Sequence, residues 1–215
     1  MNLTLKESLV TRSRVFSPWT AFYFLQSLLI NLGLGYPFSL LYTAAFTAIL
    51  LLLWRTLPRV QKVLVGISSL VAACYFPFAQ AYGAPNFNTL LALHSTNMEE
   101  STEILTIFPW YSYLVGIFIF ALGVRAIRRK KESEKARWNT FDSLCLVFSV
   151  ATFFVAPVQN LAWGGVFKLK DTGYPVFRFA KDVIVNNNEV IEEQERMAKL
   201  SGMKDTWTVT TVKPK

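Results

Sequence analysis

The amino-acid sequence predicts an all-α membrane protein with five transmembrane helices, and three observations carry this prediction. The 215 residues are 53% hydrophobic and 17% charged, with a mean hydropathy of +0.34. Several apolar runs reach the roughly 20 residues that a helix needs to cross a bilayer. Basic residues are clustered between those runs, and no lysine or arginine occurs between Lys62 and Arg125. A soluble domain of this length usually carries more charge, so we expect an integral membrane protein.

Five apolar segments are expected to form the spans, at residues 19–34, 38–54, 63–80, 109–123 and 141–161. Ser17-Pro18 is typical of a helix start, with serine as N-cap and proline at the first helical position. The sequence Gly83-Ala84-Pro85-Asn86 ends the third span. Asn139 and Asp142 are spaced as a capping pair for the fifth span.

The distribution of basic residues predicts the orientation. The segments before the first span, after the second and after the fourth hold thirteen of them: Lys6, Arg12, Arg14, Arg55, Arg59, Lys62 and seven between Arg125 and Arg137. The turn after the first span and the segment after the third hold none. Because cytoplasmic loops carry the excess of positive charge, we expect a cytoplasmic N-terminus and an external C-terminus. Tryptophans near the span ends are typical of an aromatic belt: Trp19, Trp54, Trp110, Trp138 and Trp163.

The chain is expected to divide into a five-span membrane domain, residues 1–165, and an external segment, residues 166–215. Within the second part, residues 174–200 begin near a proline and mix apolar with charged positions, which predicts an amphipathic linker helix at the membrane interface. Its apolar face would carry Phe177, Ala180, Val183 and Ile184. Residues 207–215, WTVTTVKPK, alternate as a strand does. A lone strand is unstable, so we interpret it as the first strand of a domain that is absent from this chain.

No catalytic residue and no metal site is predicted within these residues. There is a single histidine, and the sequence contains no Walker loop, no G-x-S-x-G and no G-x-G-x-x-G. Cys74 and Cys145 each lie inside an apolar run and are interpreted as buried small side chains, not as a disulfide or a metal pair. The basic residues are placed as topology signals and not as a groove for nucleic acid, so no nucleic-acid partner is expected.

The remaining polar residues have structural interpretations. Gln26 and Asn31 are expected to join neighbouring helices, and Asp142 to cap the fifth span. His94 is interpreted as a solvated or interfacial residue. The stretch NNNEVIEEQE, residues 186–195, is interpreted as a solvated helix face.

A polar cluster, HSTNMEESTE at residues 94–103, stands out because its surroundings are apolar. Orientation places it on the outer face, where it is expected to start a short helix before the fourth span. Thr96 and Glu100 would share one face of that helix. A carboxylate can pair with an ammonium group, and a hydroxyl or amide can hold a phosphate oxygen, so the pair suits an ethanolamine headgroup. The alternative is helix capping, by Thr96 with Glu99 and by Asn97 with Glu100, and the residues alone leave both open.

In order along the chain, these features resemble the bacterial phosphoethanolamine transferases. The resemblance is carried by five spans with a cytoplasmic N-terminus, G-x-P-N followed by T-N-x-x-E, an amphipathic linker, and W-T-V-T-x-V-K-P-K. It is closest to the branch that modifies osmoregulated periplasmic glucans. The resemblance implies a multi-pass protein of the bacterial inner membrane with its C-terminus in the periplasm. It also implies that the full-length protein is an enzyme.

The resemblance further implies a donor, an acceptor and a cofactor. The donor would be phosphatidylethanolamine and the acceptor a periplasmic glucan, with a threonine nucleophile and zinc in the missing domain, which has an alkaline-phosphatase-like fold. The family's Asn-x3-Thr-x3-Glu pattern, associated with the donor, is matched by Thr96 and Glu100. Its asparagine position is Ala92 here, and Asn88 and Asn97 are the candidate substitutes.

Two other functions are weighed against this interpretation. A small transporter-like subunit is disfavoured because the predicted spans lack ionisable residues at mid-membrane, where coupling sites lie. A non-catalytic membrane anchor that docks partners through residues 174–200 is the other alternative.

Overall fold

The structure, a computed structural model, describes residues 18–95, 106, 108–129, 140–163, 165 and 172–202. Over these ranges the chain forms seven helices: α1 (Pro18–Gly33), α2 (Leu40–Thr56), α3 (Pro58–Tyr82), α4 (Phe87–Ser95), α5 (Trp110–Arg128), α6 (Thr140–Ala162) and α7 (Pro175–Gly202). The five segments predicted as spans are all helical, as α1, α2, α3, α5 and α6. The linker helix predicted from residue 174 is α7. The strand predicted at residues 207–215 lies outside the described residues.

Three of the helices, α3, α5 and α6, are long and apolar enough to cross a membrane, and α2 is a shorter apolar helix. A membrane-embedded, all-helical protein is therefore supported. The number of five spans and their orientation stay predictions.

Two predicted helix boundaries are wrong because basic residues do not end the helices. A single residue, Leu57, separates α2 from α3, so Arg59 and Lys62 lie within α3 and not in a loop. Pro58 is well suited to the first position of a helix, which explains the early start. At its other end α5 continues through Arg125 to Arg128. Lysine and arginine are good helix formers, and their long side chains can carry the charge away from an apolar surface.

Helix α1 lies between α2, α3 and α5, and α6 packs on α2. The closest packing joins α3 to α5 through small residues. A Cβ atom on Gly116 would lie 2.6 Å from the carbonyl oxygen of Ala73, and one on Gly123 would lie 2.6 Å from Cβ of Ser69. Side chains this small let two helix backbones approach, which is how helices associate where no hydrophobic effect drives them together.

Buried amides join the helices, as predicted for Gln26 and Asn31. The Nδ2 atom of Asn31 in α1 donates to the Thr43 hydroxyl of α2 at 3.0 Å. In the orientation that satisfies its neighbours, the Gln26 amide accepts from the Ser69 hydroxyl of α3 at 2.7 Å and donates to the Leu122 carbonyl of α5 at 3.2 Å. The interhelical role predicted for both residues is confirmed.

An ion pair ties α2 to α6 at the end of the bundle where α1 begins. The Arg55 guanidinium donates to both carboxylate oxygens of Asp142, whose side chain is only 4% exposed. Asp142 was predicted to cap α6 together with Asn139, which lies outside the described residues. That capping stays a prediction, and the structure shows in addition that the Asp142 carboxylate bridges α2 and α6. We call this end, with Trp19, Arg55 and Arg125–Arg129, the arginine end.

Two other predictions need correction. Cys145 is buried as expected, but Cys74 is exposed on the surface of α3, because an apolar helix in a membrane presents one face to lipid. Trp110 and Trp163 are exposed at the helix ends, as an aromatic belt requires. Trp54 is buried and not part of such a belt, since its ring packs on the Arg129 guanidinium.

Candidate functional site

Two glycine turns meet at the opposite end of the bundle. Gly35, after α1, has φ of 80° and Gly83, after α3, has φ of 71°, a conformation that other residues rarely adopt. A Cβ atom on Gly35 would lie 2.4 Å from the carbonyl carbon of Gly83, so only glycine permits this approach. The turns at residues 34–39 and 83–86, with α4 and α7, form what we call the linker end.

Asn86 caps the short helix α4. Its Oδ1 atom accepts from the backbone N–H of Thr89 at 3.0 Å and from the Thr89 hydroxyl at 3.2 Å, which satisfies donors of the first turn. Helix α4 runs from Phe87 to Ser95, so His94 lies near its end. The short helix predicted to start within residues 94–103 lies outside the described residues from residue 96 onward and stays a prediction. The spacing from Asn86 to Thr89 was a readable capping signal that the sequence analysis missed.

The structure places one of the four candidate headgroup-binding residues. Asn88 is exposed in the first turn of α4, and Ala92, at the family's asparagine position, is exposed one turn later on the same face. Thr96, Asn97 and Glu100 lie outside the described residues. Their role in donor binding stays a prediction, as does the capping alternative.

Helix α7 is fixed to the linker end by a polar triad. The Tyr36 hydroxyl donates to Oδ2 of Asp182 at 2.7 Å, across 146 residues of chain. Arg178, one turn earlier in α7, lies 3.5 Å from the same carboxylate oxygen. Its guanidinium carbon also stands 4.9 Å from the centre of the Tyr36 ring, within cation–π range. The Tyr36 side chain therefore contacts both the Asp182 carboxylate and the Arg178 guanidinium.

The burial of Tyr36 and its contact with Asp182 keep its hydroxyl protonated. Tyr36 is 5% exposed, and its burial, followed by its hydrogen bond to the Asp182 carboxylate, raises the pKa of the phenol above its ordinary value of 10.0. The nearby Arg178 acts in the opposite direction and is outweighed. The phenol is accordingly a neutral donor throughout the physiological pH range.

Two asparagines of α7 contact the α4 region. Asn187 Oδ1 lies 2.8 Å from Nε2 of His94. The Nδ2 atom of Asn186 donates to the Asp182 carbonyl within α7 at 2.6 Å and to the Pro85 carbonyl of the turn before α4 at 3.4 Å. The prediction that residues 186–195 form a solvated face is therefore wrong for these asparagines. His94, predicted to be solvated or interfacial, is exposed and contacts α7 through Asn187.

The apolar residues of α7 divide into two groups. Phe179 packs edge-on against Tyr75 of α3, with ring centroids 5.0 Å apart, and Val190 is fully buried. Phe177 and Ile184, on the face predicted from the sequence, are exposed. The sequence thus identified the outer apolar face, which is free to meet lipid or span ends. It missed the inner face, which docks.

The polar groups of the linker end hold a helix in place. The carboxylate, the guanidinium and the phenol of the triad are engaged with one another. Among the described residues, no group of three His, Cys, Asp or Glu side chains could hold a metal ion. The contacts at the linker end therefore fix the position of α7 on the bundle.

The fold and the linker end define a helical membrane domain whose final helix is docked on one end of the bundle. Over all of its 215 residues the chain is 98% identical to the phosphoethanolamine transferase OpgE of Escherichia coli (strain K12). The match confirms the resemblance to the phosphoethanolamine transferase family predicted from the sequence. The printed name of this relative is that of a transferase, the class of enzyme that the sequence analysis expected for the full-length protein.

The chain spans 41% of the length of that relative. No family model matches the chain, and no solved structure matches it.

Proposed function

We propose that the chain is the membrane domain of an enzyme that moves phosphoethanolamine from phosphatidylethanolamine to a periplasmic acceptor. The observation that carries this proposal is the 98% identity, over every residue of the chain, to a protein named as a phosphoethanolamine transferase. The acceptor is an osmoregulated periplasmic glucan, as the resemblance of the sequence motifs to that branch of the family implies. The protein lies in the bacterial inner membrane, with five spans and its C-terminus in the periplasm.

In this proposal the chain contributes anchoring and donor binding. Thr96, Glu100 and the amide of Asn88 or Asn97 bind the donor headgroup, the carboxylate pairing with its ammonium group and the hydroxyl and amide with its phosphate oxygens. The exposed Asn88 at the linker end supports a donor site there, since it shares a helix face with Ala92. The threonine nucleophile and zinc are those that the resemblance assigns to a further, catalytic domain of the enzyme.

Helix α7 positions the rest of the enzyme over that donor site. The Tyr36–Asp182–Arg178 triad fixes α7 to the bundle, and the His94–Asn187 contact fixes it to α4. A reaction in which a soluble domain acts on a membrane lipid needs the reacting groups to be held near each other, and rigid attachment supplies this. The docked helix favours this role over that of a free spacer.

A transporter is not favoured by the buried polar groups. In the described parts of α1 to α3, α5 and α6, the buried polar side chains are amides and hydroxyls, and the single buried charge, Asp142, is paired with Arg55 at the arginine end. Transport sites usually need ionisable groups near mid-membrane.

The test is transfer by the full-length protein in proteoliposomes that contain phosphatidylethanolamine labelled in the ethanolamine headgroup. We expect label to appear on added periplasmic glucan and diacylglycerol to accumulate in equal amount. Lipopolysaccharide serves as the control acceptor and phosphatidylcholine as the control donor. Label on lipopolysaccharide alone would refute the acceptor, and the absence of any diacylglycerol would refute the transferase itself.

A further inference from the structure

A groove of about 670 Å³ at the arginine end is separate from the proposed donor site. One wall is Trp19 of α1, and the remainder is a strip along α5 that runs from Phe120 to Arg129. At 1.5 Å per residue this strip is about 14 Å long. The groove therefore reaches from the end of the helix well into its apolar part.

The α5 side of the groove changes from apolar to basic along its length. Ala121, Val124, Arg125 and Arg128 follow one another at spacings of three, one and three residues, so they lie along one face of the helix. Phe120, beside this row, is 45% exposed. The small side chain of Ala121 leaves space between Phe120 and Val124. Among the described residues, none of those that line the groove is acidic.

Arg129 is held at the rim by aromatic rings. Its guanidinium carbon lies 4.1 Å from the centre of the Trp19 ring and 4.4 Å from that of Trp54. Both distances are within cation–π range, and two rings restrict the side chain more than one would. The positive charge at this point is therefore fixed in position, unlike that of a lysine or arginine on a solvated surface.

We propose that this groove binds an anionic phospholipid of the leaflet that the arginine end faces. The arginines would hold the phosphate, and the apolar strip would receive part of an acyl chain. A lipid suits the groove better than a soluble anion does, because the apolar floor continues directly from the basic rim. Basic pockets between membrane helices are typical binding sites for anionic headgroups. The inference does not depend on the proposed transferase function.

The test is a titration of phosphatidylglycerol into the full-length protein in neutral detergent, with bound lipid counted by native mass spectrometry. We expect wild type to bind phosphatidylglycerol in preference to phosphatidylcholine and phosphatidylethanolamine. Arg125→Gln with Arg128→Gln should weaken binding by about 25-fold, or about five-fold for each arginine. Arg59→Gln with Lys62→Gln is the matched control, since it removes two charges at the same end but outside the groove, and should change binding by less than about two-fold.

A charge-neutral variant tests the apolar part. Ala121→Leu, at an exposed position, should fill the space beside Phe120. It should weaken the binding of phosphatidylglycerol and leave the melting temperature of the protein unchanged. Glycerol phosphate, which lacks acyl chains, should not displace the lipid. Equal weakening by the two charge variants would show diffuse attraction and overturn the site, as would the same affinity for all three lipids. Unchanged binding by Ala121→Leu would overturn the acyl-chain groove.

Discussion

The Tyr36 hydroxyl donates to the Asp182 carboxylate at 2.7 Å and so joins the first turn of the bundle to a helix 146 residues later. Asp182 also meets Arg178, and Arg178 stands over the Tyr36 ring. The three side chains form a closed set of contacts in which each touches the other two. The set fixes α7 at a defined rotation, with Phe179 inward and Ile184 outward.

Removing the Tyr36 hydroxyl should loosen α7 without unfolding the bundle. A hydrogen bond to a charged group contributes about 1.5–3 kcal/mol, and Asp182 keeps Arg178 as a partner, so we expect the lower end of that range for Tyr36→Phe. The amides of residues 178–190 should then exchange with solvent about tenfold faster. Tyr82→Phe is the control, because Tyr82 is 51% exposed at the same end. Equal exchange in both variants would mean that the contact does not hold the helix.

Alkaline pH should release the same contact. The folded-state pKa of Tyr36 lies above its ordinary value of 10.0, because burial and the Asp182 carboxylate both disfavour the phenolate. A group with a raised folded pKa contributes stability that is complete below the unfolded value and is lost as pH rises through the folded one. The exchange of α7 amides, corrected for its intrinsic pH dependence, should therefore stay constant up to about pH 10 and rise above it. The Tyr36→Phe variant should lack this rise.

The sequence predicted the helices far better than it predicted the contacts between them. Hydropathy places the five apolar segments because each needs only local information. The start of α3 at Pro58 shows the limit, since Arg59 and Lys62 are charged but helical, and hydropathy excluded them. A hydropathy scale gives a basic residue the same value at a helix end as in a loop, so it cannot distinguish the two positions.

The contacts of α7 could not be predicted from the sequence, for a different reason. Phe177 and Phe179 are both apolar, and only the fold shows that Phe179 meets Tyr75 while Phe177 stays exposed. Likewise nothing local to Tyr36 or Asp182 indicates a partner 146 residues away. Asn86 is the exception, because its capping of Thr89 is a local pattern that could have been read.

The Arg55–Asp142 pair gives a prediction for stability. Asp142 is almost fully buried, and Asp142→Asn removes the charge that pairs with the Arg55 guanidinium. Breaking a buried ion pair costs about 3–5 kcal/mol. Because the Arg55 side chain is 22% exposed, we expect a cost at the lower end of this range. The unfolding free energy should fall by about 3 kcal/mol, whereas Arg59→Gln should have little effect. In a double-mutant cycle, Arg55→Gln with Asp142→Asn should cost less than the sum of the single variants; simple additivity would contradict the pairing.

Reporter fusions test the five spans and their direction. A periplasm-active reporter should be active when fused after Leu34, Asn86 or Lys170, and inactive after Leu57 or Lys131. The reason is the concentration of basic residues on one side, which retains those segments in the cytoplasm. Activity after Lys131 would contradict the model, because seven basic residues between Arg125 and Arg137 set the orientation there.

The polar cluster HSTNMEESTE allows a test that separates donor binding from helix capping. If Glu100 pairs with the donor ammonium, its charge matters in the reaction, and loss of a charge-assisted contact of about 1.5–3 kcal/mol should slow transfer by on the order of 10- to 100-fold in Glu100→Gln. Glu99→Gln is the matched control, since it removes the same charge one residue away. Under donor binding, only the Glu100 variant should lose activity, and both proteins should melt at the wild-type temperature.

Capping predicts a different outcome for substitutions at the same two positions. The Thr96-x-x-Glu99 spacing makes Glu99 the capping-box partner, so Glu99→Ala should lower the melting temperature at least as much as Glu100→Ala, and activity should fall only in step with stability. Thr96→Ser, which keeps the hydroxyl, should be harmless to a cap. Transfer rate and melting temperature are therefore measured together on the full-length enzyme for each variant. Full activity of Glu100→Gln would exclude the headgroup contact, because an ammonium bound by a carboxylate cannot lose that charge without consequence for the rate.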